Sequence, residues 1–267
     1  MRTRIPTSTD VSVTSRPLAG WTLISLRERS QQAAAKRAIE AAGAQALALP
    51  GLRLQALDAG AALASALAER PSIALCISPA AVRFLRALAP QIAARVPIGA
   101  GVGAGTASAL RRAGFVEVLA PQQGRAQISE GLLAHPRLAR GAGERVLLVG
   151  APGGRGVLAP ELRARGFAVA EVQVYRRGPA RLDARHARAV AAARAPLGLL
   201  LSSAEALDNV LAQLPAAALA VLKRARVVAS SERLLAHAQS LGFIDCVLAA
   251  GPQPQALVAA LAASANA

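Results

Sequence analysis

The chain has 267 residues and a formal net charge of +16, with 31 Lys and Arg residues against 15 Asp and Glu. Hydrophobic residues make up 54% of it, yet no uninterrupted apolar run reaches about 18 residues, which argues against a membrane-spanning helix. Aromatic residues make up only 2%, so the chain offers few side chains on which single-stranded nucleic acids could stack.

Arginine accounts for nearly all of the positive charge, and three interpretations of it stay open. An alanine- and arginine-rich composition can reflect the base composition of a genome. A basic surface can bind nucleic acid, although the arginines are scattered rather than clustered in one tract. The third interpretation is a small anionic substrate drawn into a basic cleft, where Arg is the preferred partner of carboxylates.

The N-terminal residues are rich in Ser, Thr and Arg and lack the apolar core of a secretory signal. We predict a disordered leader over residues 1–19, and a start assigned too early is the alternative. Cys76 and Cys246 lie inside apolar, strand-like runs. This placement predicts two buried free thiols and a cytoplasmic location, since the cytoplasm keeps thiols reduced.

Strands and helices alternate from the first predicted element onward, which is typical of parallel sheets covered by helices on both faces. A strand at 21–25 leads to a helix at 30–42, with Ser30 as its N-cap and Gly43 as its stop. The following elements are a strand at 46–49, an extended crossover at 52–57, a helix at 61–69, a strand at 73–77, a helix at 80–88, a strand at 98–102, a helix at 106–112, a strand at 116–119 and a helix from 128.

The second half of the chain has the same order of elements. Its predicted elements are a strand at 145–149, a helix at 157–165, a strand at 168–174, a linker at 175–179, a helix at 182–193, a strand at 197–201, a helix at 205–214, a strand at 226–229, a helix at 232–240, a strand at 246–248 and a helix at 255–263.

The sequence contains an internal repeat in the order A-B-A-B. The A segments are 21–54 and 145–177, and the B segments are 77–134 and 201–261. Each B segment has an apolar run that ends in small hydroxyl residues, then a helix, and later a Gly-Phe pair before its last strand. A duplicated α/β segment predicts two domains that face a ligand-binding cleft.

The two crossovers, at 52–57 and 175–179, lie directly after the A segments rather than at the junction near residue 141. We therefore predict that the A segments are exchanged between the domains, so that the first A segment packs with the second B segment and the second A segment with the first B segment. The predicted fold is α/β, with two doubly wound parallel-sheet domains of similar topology joined by a two-stranded linker. The first domain is discontinuous. The boundaries are 20–51 plus 179–267 for domain 1, 52–56 and 174–178 for the linkers, and 57–173 for domain 2.

Loops that follow parallel strands carry the candidate binding residues, because ligands bind at that edge of such sheets. Hydroxyls, glycines and helix N-termini in these loops can bind anions through backbone N–H groups. The serine pairs in two of them fit a second interpretation equally well, as helix caps. The loops contain Arg27, Ser78, Gly103–Thr106, Gly150–Arg155, Ser202 with Ser203, and Ser230 with Ser231.

The sequence argues against a metal or cofactor site. His135, His186 and His237 are far apart and have no Cys or carboxylate at ligand spacing. The glycine-rich loop at 150–156 lacks the G-x-G-x-x-G spacing of a dinucleotide site. The glycines at 99–105 are explained by close packing of the backbone at a turn between a strand and a helix.

Tyr175 is the single tyrosine of the chain and lies beside Arg176 and Arg177 at the end of a predicted strand. At a crossover between domains it can be a core or linker residue. Its phenol can also project into the cleft as a hydrogen-bond donor or general acid.

From about residue 20 to residue 263, the chain resembles the uroporphyrinogen-III synthase family. Each matching motif is short, but their order and spacing agree along the whole region. The sequence differs from the common family pattern at Glu28, Ala80 and Val149, where Pro, Asn and Arg are frequent. The matches are Ser78-Pro79-x-Ala81-Val82, Val102-Gly103-x-x-Thr106-Ala107-x-Ala109-Leu110, Gly153-Gly154-Arg155, Val174-Tyr175-Arg176-Arg177, Ser202-Ser203 and Ala229-Ser230-Ser231.

The resemblance implies a cytoplasmic lyase of tetrapyrrole biosynthesis, the route to porphyrins and heme. Such an enzyme closes linear hydroxymethylbilane into uroporphyrinogen III, inverts the last ring through a spiro-type intermediate and releases water, without metal or organic cofactor. The substrate carries eight carboxylates and cyclises unaided to the other isomer. The task is therefore mostly one of positioning, which explains why no catalytic triad is recognisable.

The resemblance also implies roles for individual residues. Tyr175 is expected to assist departure of the hydroxyl. The expected partners are the bilane and, transiently, the enzyme that makes it, but no membrane and no nucleic acid, and we expect a monomer. The alternative function is a non-catalytic two-domain binder of a small polyanionic ligand. The residues expected to bind substrate are Arg27, Ser78, Thr106, Arg155, Ser202, Ser203, Ser230 and Ser231.

Overall fold

The computed structural model describes residues 16–122, 129–153 and 156–265. Its chain divides into two compact units. Unit 1 combines the chain up to Arg53 with the chain from Pro179 onward, and unit 2 is Leu54–Gly178. Each unit contains a five-stranded sheet in which every pair of neighbours is parallel. The predicted α/β class with parallel sheets is confirmed.

The elements up to residue 133 follow the alternation expected from the sequence. They are β1 (Thr22–Ser25), α1 (Gln32–Ala41), β2 (Gln45–Ala48), β3 (Leu52–Ala56), α2 (Gly60–Ala68), β4 (Ile73–Cys76), α3 (Pro79–Leu88), α4 (Ile92–Arg95), β5 (Ile98–Gly101), α5 (Ala104–Arg112), β6 (Glu117–Leu119) and α6 (Ser129–Leu133).

The remaining elements repeat that order. They are β7 (Arg145–Gly150), α7 (Leu158–Ala164), β8 (Ala168–Gln173), β9 (Tyr175–Pro179), α8 (Ala184–Ala191), β10 (Leu197–Leu201), α9 (Ala204–Leu211), α10 (Ala216–Leu222), β11 (Arg226–Ala229), α11 (Glu232–Ser240), β12 (Cys246–Leu248) and α12 (Pro254–Ala265).

The two large sheets have corresponding strand orders. Unit 2 has the order β6-β5-β4-β7-β8, and unit 1 has the order β12-β11-β10-β1-β2. In each sheet the chain proceeds outward in both directions from two central strands, which are β4 and β7 in unit 2 and β10 and β1 in unit 1. Ligands of such sheets bind beyond the carboxyl ends of the strands where the order reverses. The strands β3 and β9 form a separate two-stranded sheet.

Apolar side chains pack on both faces of each sheet, as doubly wound sheets require. In unit 2, Leu147 and Val149 of β7 belong to one buried cluster, and Val146 and Leu148 belong to the other. In unit 1, Ile24 faces one cluster and Leu23 faces the other. The alternation along each strand therefore shows that both faces of each central strand are buried.

The leader predicted over residues 1–19 is too long, because residues 16–19 are ordered. Leu18 is fully buried, packs in the same cluster as Leu23 and donates a backbone hydrogen bond to the carbonyl of Ala42 at 3.0 Å. The first 15 residues of that prediction lie outside the described residues.

Local details also differ from the prediction. Ser30 lies inside a 3-10 turn at Arg29–Gln31 and is not the N-cap of α1, which begins at Gln32. Gly43 ends that helix as predicted, with φ of +88°. The sequence reasoning missed two helices. One is α4, which has only four residues, and the other is α10, which follows Pro215 within a run of alanines.

The two cysteines are free, but only one is fully buried. Cys76 is buried, and burial raises the pKa of its thiol to about 12. Cys246 is only partly buried, so the prediction of burial is wrong for this residue.

Among the described residues, none of the helices combines the length and hydropathy needed to cross a bilayer.

Candidate functional site

In unit 2, the candidate residues Ser78, Thr106 and Tyr175 follow β4, β5 and β8, and the loop with Arg155 follows β7. Ser78 comes two residues after β4, and Gly150 ends β7 beside it, since Cys76 and Val149 are register partners. Tyr175 begins β9, two residues after β8 ends. The carboxyl ends of these parallel strands share one edge of the sheet, which brings the two hydroxyl residues together.

Ser78 and Tyr175 are in direct contact. Their hydroxyl oxygens lie 3.0 Å apart, and either oxygen can donate the hydrogen. The Ser78 oxygen also accepts the backbone N–H of Ala81 at 3.0 Å and so caps α3. Because that bond occupies a lone pair of Ser78, its own O–H is available to donate to the phenol oxygen. The Tyr175 proton can then be donated to another group.

The ring of Tyr175 is held by the core of unit 2. It is 1% exposed and stacks on Phe84, with the ring centroids 5.3 Å apart and an interplanar angle of 13°. The preceding residue, Val174, is anchored by its N–H to the carbonyl of Gly150 at 3.0 Å. The phenol is therefore fixed in direction, and its oxygen meets the capped end of α3.

Phe84 is a site residue that the sequence analysis missed. It lies on α3, and the only signal for it was the helical period, which places residue 84 on the same face as Ala80 and Ala81. Arg83 also lies over the Phe84 ring, 4.9 Å from its centroid. The ring of Tyr175 therefore has an aromatic partner that the sequence could not pair with it.

Thr106 occupies a buried position in α5. The residue is 3% exposed, and its N–H donates to the carbonyl of Gly103 at 3.0 Å. A Cβ atom on Gly101 would lie 2.9 Å from the backbone nitrogen of Ala107 and 3.0 Å from the Cβ of Thr106. Close packing at this turn thus requires the glycine, in agreement with the packing interpretation of the glycine-rich run.

A cavity of about 370 Å³ lies beside the loop between β7 and α7 in unit 2. Its lining includes Ile77, Gly150, Gly153, Gly156 and Gln173. The side of this loop that carries Arg155 lies outside the described residues, so the predicted role of Arg155 stays a prediction. Gly150 makes room for Ile77, whose Cδ1 would lie 2.8 Å from a Cβ atom at that position, whereas a Cβ on Gly153 or Gly156 would meet nothing within 4 Å.

In unit 1, Arg27 follows β1 and is anchored at two points. Its guanidinium donates to Oε1 of Gln31 at 2.9 Å and to the carbonyl oxygen of Pro252. Partial burial lowers the pKa of Arg27 from its ordinary value. A guanidinium carries more N–H donors than these two bonds use, so the side chain retains donors for an anion.

Two neighbours shape the Arg27 loop. Gln32, which the sequence analysis missed, donates its amide to the carbonyls of Ser25 and Arg27 at 3.1 and 2.6 Å. Glu28 has φ of −62° and accepts the N–H of Ser30 at 3.0 Å. That φ lies close to the value fixed by proline, so Glu28 preserves the backbone course expected where the family commonly has Pro.

The serine pairs of unit 1 follow β10, which is next to β1 in the sheet, and β11, which is next to β10. Ser203 caps α9, and its hydroxyl accepts the N–H of Ala206 at 3.3 Å. Ser231 occupies the N-cap position of α11 without making that side-chain bond. Ser202 and Ser230 are partly exposed and precede them. The cap interpretation therefore applies to Ser203, whereas the Ser231 hydroxyl is available to a ligand.

Within each unit, the structure thus places several of the predicted residues at one edge of the sheet. Tyr175 contacts Ser78 in unit 2, while Arg27 and the two serine pairs share one sheet edge in unit 1. Among the residues that the structure describes, no three His, Cys, Asp or Glu side chains are close enough to hold a metal ion. The groups offered to a ligand are hydroxyls, backbone N–H groups and a guanidinium, which all suit carboxylates.

Comparisons with known proteins identify relatives of one kind. A family model described as uroporphyrinogen-III synthase HemD matches residues 33–259. The uroporphyrinogen-III synthase of Escherichia coli is 32% identical over 168 residues, which are 62% of this chain and 68% of that relative. The Salmonella typhimurium protein of the same name is 32% identical over 161 residues, which are 60% of this chain and 65% of that relative.

A solved structure supports the fold. The crystal structure of uroporphyrinogen-III synthetase from Helicobacter pylori superposes with a TM-score of 0.58 at 16% identity. The match covers 91% of this chain and 98% of that one. At this identity, the likeness concerns the arrangement of the elements.

Proposed function

The chain belongs to the uroporphyrinogen-III synthase family, and we propose that it cyclises hydroxymethylbilane to uroporphyrinogen III, with inversion of the last ring and loss of water. The observation that carries this proposal at the site is the contact between Tyr175 and Ser78, 3.0 Å apart at the carboxyl edge of the unit 2 sheet. The family model covers residues 33–259, which include both residues and all the other candidates except Arg27.

In the proposed reaction the phenol of Tyr175 donates its proton to the hydroxyl of the bilane, and the carbon–oxygen bond breaks to release water. Ser78 donates a hydrogen bond to the phenol oxygen while that oxygen carries negative charge, and the positive end of the α3 dipole is close to it. The substituted carbon of the last pyrrole ring, which already carries a methylene bridge, then attacks the carbon that lost the hydroxyl and forms the spiro-type intermediate. The bond between this ring and its original bridge breaks. The bridge carbon then bonds to the free carbon on the other side of the same ring, which inverts the ring. The ring proton released on closure returns to Tyr175, so the enzyme is regenerated.

Binding residues position the rest of the substrate. We assign Arg27, Ser202, Ser230 and Ser231 to its carboxylates in unit 1, and Thr106 and Arg155 in unit 2. Ser78 acts through Tyr175, and Ser203 holds the start of α9. Because the bilane cyclises without help, most of the catalytic effect comes from holding the substituted carbon of its last ring against the carbon that loses the hydroxyl. We propose that the protein works in the cytoplasm as a monomer. Its substrate is a small molecule, and the enzyme that makes this bilane contacts the protein transiently to deliver it.

The test is the isomer that forms. Purified protein is incubated with hydroxymethylbilane, and the uroporphyrinogens are oxidised and separated by chromatography. We expect isomer III, whereas a parallel incubation without protein yields isomer I. Formation of isomer I at the uncatalysed rate would overturn the proposal and leave the chain as a non-catalytic binder of a polyanion.

A further inference from the structure

A small cavity in unit 1 lies between α1 and the carboxyl ends of β1 and β2. Its volume is about 140 Å³, and its lining includes Ser25, Gln32, Lys36, Ile39 and Ala48. Ser25 and Ala48 are the last residues of their strands and are register partners. The cavity therefore lies at the same edge of the sheet as Arg27, on the side that α1 covers.

Ser25 gives this cavity an unmatched polar group. The residue is 2% exposed, and among the described residues no group donates a hydrogen bond to its Oγ or accepts one from it. Ser25 alternates with Ile24 along β1 and faces the α1 side of the sheet, as Leu23 does. Buried hydroxyls nearly always have a partner, so an orphan beside a cavity indicates a missing polar ligand.

The rest of the lining is apolar except for Lys36 and Gln32, and the Gln32 amide donates to the carbonyls of Ser25 and Arg27. Ala33, Ala46 and Ala48 leave the space open because their side chains are small, and Ile39 closes it. Lys36 contributes an ammonium group, which also pairs loosely with Glu40 at 3.6 Å on the surface. One hydroxyl and one ammonium beside methyl groups match a short aliphatic acid, whose methylenes are apolar and whose carboxylate accepts hydrogen bonds.

The size of the cavity also fits such an acid. A water molecule takes about 30 Å³ of liquid volume, and a cavity of about 150 Å³ can hold a ring of six carbons. A space of about 140 Å³ thus exceeds one water and accommodates the five heavy atoms of a propionate arm. We propose that this cavity receives one carboxylate arm of the substrate, bound by Ser25 and Lys36; this inference rests on the proposed function.

Two variants and a matched control test the cavity directly. Ser25→Val replaces the orphan hydroxyl by a methyl group and adds a second methyl that fills space in the cavity, so it should fold at least as well as the wild type. Lys36→Gln removes the ammonium, and Arg37→Gln removes the same charge from the next position of the same helix. Propionate titrations followed by amide NMR should show saturable shifts at Ser25 and Ala48 in the wild type and in Arg37→Gln. Both cavity variants should weaken this binding at least tenfold.

The bilane assay supplies the second readout. We expect Lys36→Gln and Ser25→Val to raise KM severalfold with little change in kcat, and Arg37→Gln to match the wild type. Propionate shifts that are absent, or equal in all four proteins, would overturn the inference and leave an ordered water as the occupant. Propionate binding without any change in KM would overturn the assignment to substrate. A wild type that binds propionate but forms no isomer III would instead refute the proposed function alone.

Discussion

The phenol oxygen of Tyr175 lies 3.0 Å from the hydroxyl oxygen of Ser78, the residue whose side chain caps α3. The two residues are 97 positions apart in the sequence and meet because β4 and β8 flank β7 in one parallel sheet. A proton donor is thus placed against the positive end of a helix, where negative charge on the phenol oxygen is favoured.

Removal of that phenol hydroxyl should affect turnover more than substrate binding. Tyr175→Phe keeps the ring that stacks on Phe84, so we expect a normal circular dichroism spectrum and a nearly unchanged melting temperature. We expect kcat to fall by roughly 10²-fold, the lower range for loss of one general acid. Turnover close to that of the wild type would assign Tyr175 to the core alone.

The serines at the starts of α9 and α11 should separate capping from ligand binding. Ser203 makes the cap bond to Ala206, so Ser203→Ala should lower the free energy of unfolding by about 1 kcal/mol. Ser231 makes no such bond, so Ser231→Ala should leave stability within a few tenths of a kcal/mol and raise KM. Urea denaturation and bilane kinetics of both variants measure this, and an equal loss of stability in both would contradict the distinction.

Salt should weaken substrate binding if the arginines bind an octa-anionic substrate. Raising the ionic strength from about 0.05 to about 0.5 M shortens the Debye length roughly threefold. We therefore expect the apparent KM to rise while kcat changes little. Kinetics in NaCl and in potassium glutamate control for effects of one particular anion. A KM indifferent to both salts would favour genome composition as the origin of the +16 charge.

The division into units predicts which fragment folds alone. Residues 54–178 contain all five strands of the unit 2 sheet, whereas residues 20–140 lack β7, the neighbour of β4, and β10, the neighbour of β1. We expect the first fragment to unfold cooperatively in urea and the second to be insoluble or unfolded. The reverse outcome would support a tandem arrangement of the two halves.

The ion pair between Arg137 and Glu144 should make stability depend on acid pH. Their two hydrogen bonds measure 2.9 and 2.7 Å, and this pairing holds the pKa of Glu144 below its ordinary value of 4.5. A depressed carboxyl pKa stabilises the fold above the unfolded pKa, and this contribution is lost as pH falls through the folded value.

Glu144→Gln should therefore be less stable than the wild type at pH 7, and the difference should shrink as the pH falls below 4.5. Urea denaturation between pH 7 and pH 3 measures this. The control is Glu69→Gln, which removes a looser and more exposed pair with Arg145 at 3.7 Å. A difference between wild type and Glu144→Gln that stays constant with pH would contradict the role of the ion pair.

The sequence by itself determined the fold class and the positions of most elements, because the alternation of apolar strands and capped helices is local and was repeated in both halves. It also placed Ser78, Arg27 and the serine pairs after strands, since parallel strands always present their carboxyl ends at one edge. The order of the motifs along the chain also indicated the family, which the family model over residues 33–259 confirms.

Only the tertiary structure decided which of these residues touch. The stacking of Phe84 on Tyr175, the amide of Gln32 on the Arg27 loop and the orphan hydroxyl of Ser25 depend on side chains from elements that are adjacent in space, and no local pattern encodes them. The same holds for Leu18. Its polar neighbours in the sequence led to the prediction that it belongs to a leader, but it is buried in one cluster with apolar side chains of α1 and α12. Periodicity reports which face of an element is buried, whereas packing alone determines the partner on that face.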